Sequence, residues 1–159
     1  MLTTDAQDLC CLHTDTPENK VKRRYLRNLY AFMARLTRNG VSDCSYQALQ
    51  AITQALERAD PPVTTRTMNM LIVYDWVRLA AKQLTEAELR DTRVGGELWD
   101  VEEKPGFSKE RWEFWLKRLG DIEEDGGYEF KAREIAEKAR GILEQMVEIM
   151  SGLLPRQYP

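Results

Sequence analysis

MNMLIVYDWVRLAAKQL, Met68 to Leu84, is apolar on almost every side when wound as a helix. Only Asp75, Arg78 and Lys82 gather into a polar stripe, while Met68, Met70, Ile72, Val73, Trp76, Val77, Leu79 and Ala80 fill the remainder. A helix of that kind is a central one, touched by neighbours on most sides. The β-branched and aromatic core of the run also suits a strand, and a short apolar run cannot be assigned by periodicity alone. A strand needs partners, however, and no other stretch alternates with period two over enough residues to supply a sheet. The run continues into good helix formers, so the expectation is an all-α, single-domain bundle of about five to six helices around this central one.

Toward the C-terminus, Thr85-Glu86-Ala87-Glu88 has the form of a capping box and predicts a short helix ending near Arg93. Val94 to Phe107 then loses the pattern, with a Gly-Gly pair and a Pro-Gly turn signal, and Trp99 and Phe107 are its expected anchors. A long irregular loop is often functional. Ser108 opens a helix closing at Gly120, with Trp112, Trp115, Leu116 and Leu119 on its core face. Phe114 projects from the other side between Arg111 and Arg118, the composition of an interface hot spot. The last helix is expected from Tyr128 to Ser151, with Ala132, Ala136, Ala139, Leu143, Met146 and Met150 along its seam.

Toward the N-terminus, Thr64 or Thr65 is the expected cap of the central helix. Asp60-Pro61-Pro62 stops a preceding helix from Ser45 to Ala59. The first helix spans Pro17 to Arg38: Thr16 caps it, Pro17 suits the first position, Glu18 meets the positive helix end, and Asn39-Gly40 closes it. Val21, Tyr25, Leu29, Phe32, Met33 and Leu36 form its apolar face, expected to be the packed one. Lys20, Arg23, Arg24, Arg27, Arg35 and Arg38 lie opposite. Residues 1–16 and 152–159 are expected to be tails flanking a helical domain, 17–151.

With 159 residues, 43% hydrophobic and 31% charged, the chain has the composition of one soluble globular domain. The start lacks the charge and apolar run of an export signal, and Asp75 and Arg78 interrupt the best membrane-span candidate, so a cytoplasmic location without membrane association is expected. Cys10, Cys11, His13 and Cys44 lack the spaced pairs of a structural zinc site, and His13 is the single histidine. Neither metal nor cofactor is expected. The basic face of the first helix is not read as a nucleic-acid surface: net charge is −3, no aromatic residues interleave the arginines, and acidic residues between Glu97 and Asp125 can answer it.

Two segments carry a family resemblance. Leu26-Arg27-Asn28-Leu29-Tyr30-Ala31-Phe32-Met33-Ala34-Arg35-Leu36 followed by Gly40-Val41-Ser42-Asp43, and Gly106 to Trp115 with its Arg-Trp-Glu-Phe-Trp core, resemble two segments of the fungal proteins grouped as domain of unknown function 3632. Gly96-Glu97-Leu98-Trp99 is similar to the loop before the second of them. Leu26 stands where the family usually has Trp, and Tyr30 where it has a second Asn. The resemblance runs from Val21 to Met150 and implies an all-helical, intracellular protein of fungal origin, shortened at its N-terminus; it implies no activity.

Because no nucleophile, base and orienter come together, the leading expectation is a non-enzymatic protein-interaction module, binding a protein partner or a second copy through Phe114, Arg111 and Arg118 or through Arg24 and Arg27. The competing expectation is a small-molecule binder, or a non-hydrolytic enzyme, with an aromatic pocket by the 94–107 loop. Trp76, Trp99 and Trp112 would line it, and Asp75 and Arg78 would supply its polar groups.

Overall fold

The computed structural model describes residues 14–153 apart from 88, 90, 91, 101 and 103. The described residues form five helices in order: α1 (Pro17–Arg38), α2 (Ser45–Leu56), α3 (Val63–Glu86), α4 (Lys109–Glu124) and α5 (Phe130–Met150). The described residues contain no strand. As its apolar surround requires, α3 packs against α1, α2 and α5, while α4 lies against α5 and touches α2.

Local chemistry sets the boundaries. Thr16 Oγ1 accepts from Asn19 N at 3.2 Å to start α1, and Gly40, with φ of 66°, lets Val41 N reach back to Leu36 O at 3.0 Å and close it. α2 stops at Leu56 rather than Ala59, because the Glu57 carbonyl leaves the helix to accept from Leu98 N at 3.0 Å. Thr65 does not cap α3. Its hydroxyl donates to Pro62 O at 3.0 Å, and Pro62 holds the cap position without a side-chain bond.

The expected short helix from Thr85 is absent among the described residues. Thr85 belongs to the last turn of α3, where its hydroxyl donates to Lys82 O at 2.8 Å, and Ala87 and Leu89 are not helical. The capping-box spelling loses here to the run of good helix formers leading into it.

Between α2, α3, α4 and α5 the core is filled by large rings. Trp76, Trp112 and Trp115 are fully buried. Trp112 and Trp115 meet edge to face with centroids 5.1 Å apart, and Phe107 stacks on Trp112 at 5.6 Å. Along α5 the expected seam is buried from Ala132 through Met146, with Met150 partly covered. No helix among the described residues is long and apolar enough to cross a membrane.

The largest departure from the sequence pattern concerns α1. This helix packs with Ala31, Ala34 and Thr37 buried and with Tyr30 and Met33 partly covered. Small side chains let α1 approach α3 closely. The apolar face expected to be core points the other way. Val21, Tyr25, Leu29 and Phe32 are 52%, 70%, 38% and 55% exposed. Among the described helices, α1 has neighbours in α3 and, along a short contact, α2.

Candidate functional site

Two features meet on α1: an outward apolar stripe and, on its flank, an arginine-framed cleft toward α3. At 100° per residue, Val21, Tyr25, Leu29, Phe32 and Leu36 fall on one line opposite the Ala31 and Ala34 side. The stripe is edged by Lys22 on one side and by Arg24 and Arg35 on the other. Neither Lys22 nor Arg24 makes an ion pair among the described residues.

The cleft has a volume of about 240 Å³ and is lined by Arg27, Asn28, Ala31, Arg35, Asp75 and Arg78. Asp75 lies at its base, buried, with one carboxylate oxygen 3.2 Å from Arg78 Nη2 and the other 3.5 Å from Arg27 Nε. In the sequence the Asp75–Arg78 pair reads as a surface ion pair. Burial of Asp75 follows from α1 lying across this side of α3 and bringing Arg27 to it. Arg35 Nη1 donates to Ala31 O at 3.2 Å within its own helix. Over the cleft rim, the Arg78 guanidinium stands 5.5 Å from the Tyr74 ring centre.

The other expected site residues are placed elsewhere. Arg111, expected at the surface beside Phe114, is fully buried and forms an ion pair with Glu57, which is fully buried too. Its Nε and Nη2 donate to the two Glu57 carboxylate oxygens at 2.7 and 2.9 Å. Nη1 donates to Gly106 O at 2.8 Å, and Nη2 also reaches Val94 O at 2.6 Å and Thr53 Oγ1 at 3.2 Å. Trp115 Nε1 and Gly96 N complete the Glu57 carboxylate at 2.7 and 2.9 Å. With each oxygen and nitrogen engaged, the cluster ties the 94–107 loop to α2 and α4, and is a structural strut rather than a reactive centre.

Phe114 is half-buried, its ring 5.2 Å from that of Trp99. Trp99 Nε1 donates to Lys104 O at 3.0 Å. Trp112, Trp115 and Phe107 pack ring against ring, and Trp76, at 0% exposure, is enclosed in the core. Arg118 donates from Nε to Leu56 O at 3.1 Å and borders a smaller cleft of about 180 Å³ with Arg66 and Tyr128. Cys10, Cys11 and His13 lie outside the described residues, among which no three metal-type ligands are grouped.

At Gly96 the strut leaves no room for a side chain. An added Cβ would lie 2.5 Å from Glu57 O and 2.6 Å from Glu57 Cβ. Gly96→Ala is therefore expected to destabilise the fold by about 1 to 3 kcal/mol as an overpacking change, read by thermal unfolding. A variant as stable as the parent would show that the loop is not held this closely.

The chain belongs to the family described as protein of unknown function (DUF3632), whose model matches residues 1–119. The match takes in both resembling segments and ends within α4, so it supports the resemblance from Val21 to Leu119 and does not extend over α5 to Met150. No curated protein and no solved structure matches the chain.

Proposed function

We propose that this member of the family is a non-enzymatic protein-interaction module whose docking face is the outer side of α1, and whose partner presents an apolar helix stripe edged by carboxylates. One observation carries the reading: α1 packs through alanines and turns Val21, Tyr25, Leu29 and Phe32 outward. Contiguous exposed apolar surface on a helix marks an interaction site, and residues spaced by four, four and three present the ridge that a partner helix grips. Lys22, Arg24 and Arg35 favour an acidic edge on that partner and oppose a second copy docked stripe to stripe, which would set basic flanks together.

The test uses a synthetic amphipathic helix with leucines on one face and glutamates beside them. Binding to the full chain, followed by fluorescence anisotropy of the dye-labelled peptide, is expected to weaken with salt and to be lost in Tyr25→Glu and Phe32→Glu. Because both side chains are exposed, the two variants should unfold within about 0.5 kcal/mol of the parent. Unchanged binding in both variants contradicts the reading. Sedimentation giving a dimer that Phe32→Glu dissolves assigns the stripe to a second copy instead.

A further inference from the structure

We propose that the cleft between α1 and α3 framed by Arg27, Arg35 and Arg78 binds the doubly charged oxyanion of a phosphorylated small molecule. It shares the orientation of α1 and the residue Arg35 with the docking face, but it is read from the cleft and not from the apolar stripe. Three guanidiniums share the cleft with one carboxylate, Asp75, leaving two positive charges around about 240 Å³ of open volume. That space holds a phosphate group and the first atoms of whatever carries it, with the rest outside.

The arrangement is more specific than a basic surface. Asp75 is enclosed at the base, and it approaches one nitrogen of Arg27 and one of Arg78, at 3.5 and 3.2 Å. Held from below in this way, the two guanidiniums keep further N–H donors for a ligand, and their planar forks suit an oxyanion's paired oxygens. Arg27 Nε is spent on Asp75, buried 3.5 Å from its carboxylate oxygen, so the donors left for a ligand are the terminal nitrogens of its guanidinium. Asn28 adds an amide at the rim. Arg35 is the informative residue: among the described residues its one side-chain bond is to a carbonyl of its own helix, so it contributes charge to the cleft without holding the bundle together.

Three properties separate a phosphate site from a plain interhelix ion pair. Thermal unfolding of the full chain is expected to shift upward with inorganic phosphate or pyrophosphate relative to chloride of equal ionic strength. Malonate, a dicarboxylate of similar charge, is expected to shift it less. Calorimetric affinity for pyrophosphate should fall about tenfold or more in Arg35→Ala, as for loss of one charge-assisted contact, while the ligand-free unfolding temperature stays that of the parent. Should Arg35→Ala fail to fold, Arg35→Gln reads the same affinity. Equal shifts with phosphate and chloride overturn the proposal, as does a stronger effect of malonate. Pyrophosphate affinity that survives the loss of Arg35 overturns it too.

Discussion

Glu57→Gln is expected to lower the unfolding free energy by about 3 to 5 kcal/mol, the usual cost of leaving one member of a buried ion pair uncompensated. Both Glu57 and Arg111 are fully buried, 54 residues apart in sequence. The amide would keep the shape of the carboxylate but would point a donor either at Arg111 Nε and Trp115 Nε1, which donate to Oε1 at 2.7 Å, or at Arg111 Nη2 and Gly96 N, which donate to Oε2 at 2.9 Å. Arg111→Met should cost as much by stranding the carboxylate and freeing the carbonyls of Val94 and Gly106. Combining Glu57→Met with Arg111→Met should cost clearly less than the sum of the single Met changes, because no lone charge remains in the core. Urea unfolding measures all of these. Single-variant losses below about 1 kcal/mol would mean that the pair is solvated and that the loop is held by Trp99 and Phe107 alone.

Trp112→Ala is expected to cost about 3 to 5 kcal/mol as a large-to-small core change. Phe114→Ala should cost about 1 to 2 kcal/mol, since its ring is half-covered and its main contact is one tilted aromatic neighbour, Trp99. The two side chains lie two residues apart on α4 but on different sides of it, with Trp112 wedged between Phe107 and Trp115. The ratio of the two losses tests the phase of α4. Equal losses would place both rings in the core and would require the helix to be rotated from its described position.

Much of the fold was legible because periodicity and punctuation agree. Thr16-Pro17 and Asn39-Gly40 bound α1, and the Met68 to Leu84 run identified the central helix from its lack of a broad polar face. What periodicity does not carry is the identity of the covering surface. The Val21, Tyr25, Leu29, Phe32 spacing reads as a core face in any isolated helix, and nothing local distinguishes burial within the chain from burial against another molecule. The competing side, Ala31, Ala34 and Thr37, looked inconspicuous because its contribution is close approach rather than area. The Glu57–Arg111 pair is invisible for a different reason: Arg111 reads as a surface residue because charged residues are presumed solvated unless a partner is known, and partners far apart in sequence leave no spacing signal. A clue existed on α4, where Arg111 shares a face with Trp115 and Ile122 and is the charged residue on the buried side. The gathering of Arg27, Asp75 and Arg78 was half legible. The Asp75–Arg78 spacing was visible, but the arrival of Arg27 depends on α1 lying with its basic edge toward α3.

That orientation of α1 underlies both the docking face and the oxyanion cleft, and cysteine labelling measures it directly. In a chain with Cys10, Cys11 and Cys44 replaced by alanine, Phe32→Cys should react with a thiol reagent in the folded protein nearly as fast as in denaturant. Ala34→Cys, at a position with 0% exposure, should be strongly protected until the chain unfolds. Protection at position 32 together with rapid labelling at position 34, in a dilute monomer, would contradict the account: α1 would then pack through its apolar stripe, with neither an outward docking face nor arginines gathered over Asp75.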